Sequence, residues 1–247
     1  MEGSLALKWD VRSARLTTFH SGKPSSTSWW QLLHGVRAIK TSKKGGLVEE
    51  SGLIDGLNLL LSDQPTRLDV VLTPDPRKAS PEVPIPSIGS LDAVSQRMSQ
   101  LAHKLTANEK YPAADRLAFG VTLFQVCFKR TTALQTLAQV FPGLSEVLKK
   151  SADFVFQINH PEEEELEALD DLALEIRYLE KWYFSELKVA VGSASGPIDA
   201  FTANVDLDIS TGISPGRKWS AKESAQIVPH LIGGARRALA GPEPWSP

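Results

Sequence analysis

Apolar and polar residues alternate along several segments of this chain, and the alternation predicts antiparallel β-sheet. In DFVFQINH, the side chains of Phe154, Phe156 and Ile158 share one face, and NVDLDIS places Val205 and Leu207 on one face. A further segment of this kind, ALEIRYLEKWYFSELKVAV, lies between them. A strand with one apolar face belongs to a sheet that is buried on one side and solvated on the other, as antiparallel sheets commonly are.

The first half of the chain shows the same pattern. Alternation from Leu5 to Val11 predicts a strand that extends towards Phe19. The segments LVEESGLIDGLNLLLS and TRLDVVLT are predicted to form a pair of strands, joined by a hairpin connection at Ser62–Thr66.

Two long helices are predicted, each near the end of one half of the chain. The first follows Ser90 as its N-cap and carries apolar residues at intervals of three and four. The second follows the capping box Ser220–Glu223, and Pro229 is expected to kink this helix or to delay its start. A shorter helix is expected to be capped by Thr131 or Thr132.

Each half of the chain therefore consists of several strands followed by a helix. We predict an α+β fold in which the halves 1–110 and 111–241 each contribute antiparallel sheet closed by an amphipathic helix, with a proline-rich tail at 242–247. An internal duplication would explain the similar order of elements. The sequence leaves open whether the halves pack as one domain or two.

Several short motifs on the predicted strands form a series. They are RLDVVLTP, RLAFGVTL, SADFVFQINHP, YLEKW and VDLDIST, and they extend over the region from Leu57 to the C-terminus. With them the chain resembles a family of uncharacterised bacterial proteins, although His160 stands where that family usually has Arg, and the acidic segment Glu162–Asp171 is unusual. Because no activity is established for the family, the resemblance implies a fold and a cytoplasmic setting, and it implies no catalytic residue.

Composition and charge limit the classes of function. The 247 residues are 42% apolar and 23% charged with a net charge of -2, so the chain has no overall attraction to nucleic acid or to anionic membrane. The lone cysteine, Cys127, excludes a disulfide within the chain and a cysteine-based zinc site. No apolar run approaches the ~20 residues of a membrane span, and the first residues lack the pattern of a signal peptide. We therefore expect a cytoplasmic protein without membrane association.

Charge is unevenly distributed along the chain. The segment Lys8–Lys44 is basic, whereas the segment Glu162–Asp171 is acidic and is expected to be a short helix or a loop. Basic residues beside aromatic rings suit single strands of nucleic acid, and they also suit contact with another protein. Trp29 and Trp30 are adjacent and would point to opposite sides of an extended chain, which leaves at least one exposed. The predicted binding residues are Trp29, Trp30, Arg37, Lys40, Lys43 and Lys44.

A carboxylate cluster is the best candidate for catalysis. Asp206 and Asp208 share one face of a predicted strand, and Glu186 and Lys188 form an E-x-K pattern on a neighbouring strand. Carboxylates hold Mg²⁺ and a lysine assists the attack of water, which is the arrangement of a metal-dependent nuclease. Alternating charges are also what any solvated strand face carries. The histidines form no i, i+4 pair, so we predict no histidine metal site and no cofactor.

The sequence favours a non-enzymatic cytoplasmic protein that binds another protein or forms part of a complex. A bacterial defence or toxin-neutralising system is one setting that fits. One alternative is a metal-dependent nuclease that uses Glu186, Lys188, Asp206 and Asp208. Another alternative is a protein that binds single-stranded nucleic acid without catalysis.

Overall fold

A computed structural model of the protein describes residues 8–22, 28–80, 83, 85–166, 169, 172–189, 198–214 and 216–239. Within these residues the strands are β1 Asp10–Phe19, β2 Lys40–Lys44, β3 Leu47–Ile54, β4 Leu57–Gln64, β5 Arg67–Pro74, β6 Arg116–Cys127, β7 Val155–Leu166, β8 Leu172–Val189 and β9 Ile198–Thr211. The helices are α1 Trp29–His34, α2 Leu91–Thr106, α3 Arg130–Val140, α4 Ser145–Lys150 and α5 Ala221–Leu239, with short 3-10 turns at Pro76–Lys78 and Pro142–Leu144. The predicted α+β fold with antiparallel sheet is confirmed.

The described strands form one 9-stranded sheet in the order β2-β3-β4-β5-β1-β6-β9-β8-β7. In each half of the chain the first strand pairs with the last, β1 with β5 and β6 with β9. The two halves join in the middle of the sheet, where Leu16 of β1 lies opposite Phe119 of β6. The internal duplication stays a prediction, and the predicted tail at 242–247 lies outside the described residues.

One face of the sheet carries the helices and the hydrophobic core. Alternate residues of the central strands, such as Phe119, Leu207 and Ile209, are almost completely buried on this face. The apolar stripe of α2 packs there too, and Met98 in its middle has no exposed surface. Among the described helices, none is both long and apolar enough to cross a membrane.

Capping residues fix the starts of the two long helices. The Ser90 hydroxyl accepts a hydrogen bond from the backbone N–H of Ala93, 3.4 Å away, at the start of α2. At the start of α5, the Glu223 N–H donates to the Ser220 hydroxyl, and the Glu223 carboxylate accepts from the Ser220 N–H. Both predicted caps are confirmed, but Pro229 lies inside α5 and does not delay its start.

The structure corrects three predictions about local elements. The segment expected as a single strand before the first hairpin is two strands, β3 and β4, because Asp55 and Gly56 adopt positive φ values of 51° and 72° and form a tight turn. The first half of the acidic segment, Glu162–Leu166, belongs to the end of β7 and is neither a helix nor a loop. Helix α3 begins at Arg130, and its N-cap residue, Lys129, makes no side-chain capping bond, so neither predicted threonine caps it.

Candidate functional site on the open face of the sheet

The second face of the sheet is not covered by any described helix. A groove of about 480 Å³ crosses it, over strands β1, β6, β9 and β8. Its lining includes the polar and charged residues Ser13, Arg15, Thr122, Lys181, Asp206 and Asp208. We call this depression the sheet groove.

A glycine in the middle strand shapes the sheet groove. Gly120 of β6 lies opposite Arg15 of β1 on one side and Asp208 of β9 on the other. Because Gly120 has no side chain, the Arg15 guanidinium reaches across β6 and lies 3.5 Å from the Asp208 carboxylate. A β-carbon at Gly120 would lie 3.8 Å from Arg15 Nη2, so any side chain larger than a methyl group would compete with Arg15 for this space.

A second charged pair lies beside the first. Strand register places Lys181 of β8 directly opposite Asp206 of β9. The Tyr183 hydroxyl donates a long hydrogen bond of 3.4 Å to Asp206, and the Lys181 ammonium lies 5.3 Å from the centre of the Tyr183 ring. Burial, followed by the negative charge of Asp206, raises the pKa of Tyr183. The sheet groove is therefore lined by two cations, Arg15 and Lys181, and two carboxylates, Asp206 and Asp208, and the Tyr183 phenol lies next to Asp206.

The structure does not bring the four predicted nuclease residues together. Asp206 and Asp208 share the open face, as predicted. Glu186 lies opposite Phe201 and Lys188 opposite Asp199, further along the strands. Since side chains alternate along a strand, Glu186 and Lys188 project to the helix-covered face, on the other side of the sheet from the aspartates. No group of three or more His, Cys, Asp or Glu side chains in the described part of the chain is arranged to hold a metal ion.

The two adjacent tryptophans are buried, so the expectation that at least one is exposed is wrong. Each exposes only 3% of its surface. Ser28 caps α1 by accepting a hydrogen bond from the Gln31 N–H, and the resulting helical turn points both rings inward. The indole N–H of Trp29 donates to the Asp63 carboxylate at 3.0 Å. The ring of Trp30 packs on Gly52, where a β-carbon would come within 2.6 Å of it.

The other predicted binding residues lie at one edge of the sheet. Lys40, Lys43 and Lys44 belong to β2, the edge strand, and every residue of β2 is exposed. Arg37 is exposed in the connection that precedes β2. We call these four residues the basic edge. None of them makes an ion pair with another described residue.

Sequence reasoning missed a cluster of ionisable groups on the helix-covered face. The Glu164 carboxylate of β7 accepts hydrogen bonds from Tyr178 at 2.5 Å and from Arg237 at 2.9 Å, and it lies 2.5 Å from His230 Nε2. Arg237 also donates to the Tyr178 hydroxyl at 2.8 Å, and the His160 ring stacks on Tyr178. The cluster joins α5 to β7 and β8. The only local indication in the sequence is the spacing of His230 and Arg237 on one face of α5.

Opposing effects set the ionisation of this cluster. Burial disfavours the charged form of Glu164, but the hydrogen bond from Tyr178 and the charges of Arg237 and His230 outweigh it, so the pKa of Glu164 is lowered. Burial and the neighbouring Glu164 raise the pKa of Tyr178 to about 12. Glu164 is thus an ionised carboxylate and Tyr178 a neutral donor over the physiological pH range.

The comparisons with known proteins assign no family. No protein-family model matches the chain, and no curated protein matches its sequence. The resemblance based on the strand motifs stays a prediction.

Proposed function

We propose that the protein is a non-enzymatic binding module that holds an extended segment of another polypeptide in the sheet groove. The observation that supports this proposal is a sheet face that no described helix covers, with a groove whose lining residues carry balanced charges. Arg15 and Lys181 lie beside Asp208 and Asp206, and Ser13 and Thr122 continue the row of Asp206 across β6 to β1. A polypeptide offers amide donors, carbonyl acceptors and side chains of either charge, which such a lining can satisfy.

The same balance disfavours nucleic acid as the ligand. Binding to a phosphate backbone draws its affinity from uncompensated Lys and Arg side chains. In the sheet groove, Asp206 and Asp208 face the solvent beside the two cations and would repel phosphates. The described residues also contain no cluster of three or more His, Cys, Asp or Glu side chains arranged to hold a metal ion, which the nuclease alternative would favour.

The basic edge is a second candidate surface for a protein partner. An edge strand offers unpaired backbone groups to which a partner can add a strand. The exposed side chains of Lys40, Lys43 and Lys44 would favour an acidic segment there. We propose that the basic edge could hold such a partner within a multi-protein complex. A bacterial defence or toxin-neutralising system in the cytoplasm is one setting that fits.

Selection of peptides from a displayed random library tests the proposal. Peptides enriched on the wild-type protein are expected to shift backbone amide NMR signals in β1, β6, β8 and β9. The variant Thr122→Trp places an indole in the groove between Ser13 and Asp206 and should weaken peptide binding by about tenfold or more. The matched control, Lys222→Trp, adds the same ring at an exposed position of α5 and should leave binding unchanged.

Three outcomes would contradict the proposal. Enriched peptides that bind Thr122→Trp as well as the wild type would show that the sheet groove is not the binding site. Binding of single-stranded DNA that weakens steeply with salt, or metal-dependent cleavage that is lost in Asp208→Ala, would favour one of the alternative functions instead.

A further inference from the structure

The two edges of the sheet carry opposite charges. Among the described strands, β2 and β7 are the outermost, so each pairs with a neighbour on one side only. Every residue of β2 is exposed, and it carries three of the four cations of the basic edge. At the other edge, Glu162, Glu163 and Glu165 of β7 are exposed. We call these three glutamates the acidic edge.

The charges of the acidic edge have few partners within the chain. Glu162 lies 3.3 Å from Nε2 of His160. Glu163 and Glu165 make no ion pair with a described residue. Like charges on facing strands repel and opposite charges attract, so contact between two basic edges or two acidic edges is disfavoured and contact between unlike edges is favoured.

The free backbone groups of β2 belong to Thr41 and Lys43. A two-residue turn, Gly45-Gly46, joins β2 to β3, so Lys44 exchanges hydrogen bonds with Leu47 on the other side of the turn. Residues of an antiparallel strand bond alternately to one side and to the other. Thr41 and Lys43 lie at the alternate positions and therefore direct their N–H and C=O groups away from β3.

The free backbone groups at the end of β7 belong to Glu163 and Glu165. The Phe184 N–H of β8 donates to the Phe154 carbonyl at 3.3 Å, and the register between the strands continues without a shift to the end of β7. Even-numbered residues of β7 therefore bond to β8, and odd-numbered residues direct their backbone groups outward. Pro161 is one of these and has no N–H, so an uninterrupted ladder is possible only with the five residues that follow it.

We propose that β2 of one copy of the protein pairs antiparallel with residues 162–166 of β7 in a second copy, so that copies associate through unlike edges. Both segments are five residues long. Placing Lys43 opposite Glu163 also places Thr41 opposite Glu165, and these are the residues with free backbone groups on both strands. The next pair, Lys44 and Glu162, again combines opposite charges.

This register places the helices of the two copies on opposite sides of the joined sheet. Thr41 lies opposite Glu50, whose carboxylate accepts from the Trp30 N–H of α1, so Thr41 projects to the helix-covered face. Glu164 contacts α5, so the next residue, Glu165, projects to the open face of its own copy. Because facing residues project to the same side, α1 of one copy and α5 of the other do not compete for space.

The two edges lie at opposite ends of the sheet, so the contact is heterologous and each copy can engage two neighbours in a ring or an open row. The inference rests on the part of the proposed function that gives the basic edge a protein partner, and it names that partner. The sheet groove takes no part in it.

Sedimentation equilibrium at low ionic strength tests the inference by exchanging charges. Small interfaces are weak, so the wild type is expected to self-associate at concentrations up to about 1 mM and to dissociate as salt is added. Lys43→Glu with Lys44→Glu, and Glu162→Lys with Glu163→Lys, should each weaken self-association by about tenfold or more. A mixture of the two variants should associate, because each offers unlike edges to the other.

Two controls separate this contact from an effect of net charge. Lys110→Glu with Lys129→Glu changes the net charge as the β2 variant does, at exposed positions outside both edge strands, and should associate as the wild type does. Thr41→Pro removes an outward N–H without changing a charge, and should associate about tenfold more weakly than Thr41→Ala, which keeps that donor.

The inference is overturned by a wild type that stays monomeric up to about 1 mM, by charge variants that self-associate as the wild type does, or by a mixture that does not associate. Loss of association in the net-charge control, or equal association by Thr41→Pro and Thr41→Ala, would also overturn it. Peptide binding in the sheet groove is expected to be the same in all these variants, so failure of self-association and failure of the groove proposal are measured separately.

Discussion

Replacing Tyr178 by phenylalanine tests whether the Glu164 cluster stabilises the fold. The Tyr178 hydroxyl donates to Glu164 at 2.5 Å and accepts from Arg237 at 2.8 Å, so the substitution removes both bonds and leaves a partly buried carboxylate with fewer partners. A hydrogen bond to a charged group contributes about 1.5–3 kcal/mol. Because Arg237 and His230 still contact the Glu164 carboxylate, we expect a loss of about 2 kcal/mol in the free energy of unfolding.

Urea unfolding measured at several pH values provides the assay. The folded pKa of Glu164 is lower than its ordinary value of 4.5, so the stability that its ionisation contributes is present above that value and is lost as the pH falls through the folded pKa. Without the Tyr178 hydroxyl, the folded pKa of Glu164 moves upward. The difference in stability between wild type and Tyr178→Phe should therefore be largest near neutral pH and should shrink in acid.

Tyr183→Phe is the matched control for this experiment. The Tyr183 hydroxyl makes a long hydrogen bond of 3.4 Å to Asp206 on the open face, so removing this hydroxyl should cost clearly less than removing that of Tyr178. Equal destabilisation by the two variants, or a difference for Tyr178→Phe that does not change with pH, would refute the argument that the Glu164 cluster stabilises the fold through its charge.

Three further substitutions test the description of the fold by urea unfolding. Gly120→Ala should raise stability by about 0.5–1 kcal/mol, because the glycine lies in a strand interior and a β-carbon would make only ordinary contacts; a loss of stability would contradict this. Ser220→Ala should cost about 1 kcal/mol through loss of the α5 cap, and an unchanged midpoint would contradict a capping role. Trp29→Phe removes the donor to Asp63 and should cost about 1–3 kcal/mol more than Trp30→Phe, whose indole N–H has no hydrogen-bond partner; equal costs would contradict it.

The sequence was sufficient to predict elements whose pattern is local. Alternation identified the buried faces of β4, β5 and β9, since a period of two depends only on the strand itself. The serine caps of α2 and α5 were predictable for the same reason, because a cap bonds to residues two or three positions away. The turn at Asp55–Gly56 was also visible in principle, because Asp-Gly is a favoured pair for a two-residue hairpin.

The candidate sites could not be predicted in this way, because they depend on contacts between distant segments. Glu164 meets Tyr178 and Arg237 only after β7 pairs with β8 and α5 packs across them. The prediction that at least one of Trp29 and Trp30 is exposed was wrong for a different reason. Treating Trp29 and Trp30 as extended chain assigned them to opposite sides, whereas Ser28 starts a helical turn that buries both.

The separation of the two faces makes the proposed binding function testable. The described helices pack on the other face of the sheet, so the charged side chains of the sheet groove take no part in that packing. Arg15 and Asp208, for example, keep substantial exposure although their strands lie at the centre of the sheet. If the open-face positions of these strands had no role beyond folding, almost any polar residue would be tolerated at them. Substitutions such as Thr122→Trp should therefore alter binding without unfolding the protein, and a matching loss of stability would show that the open face serves folding instead.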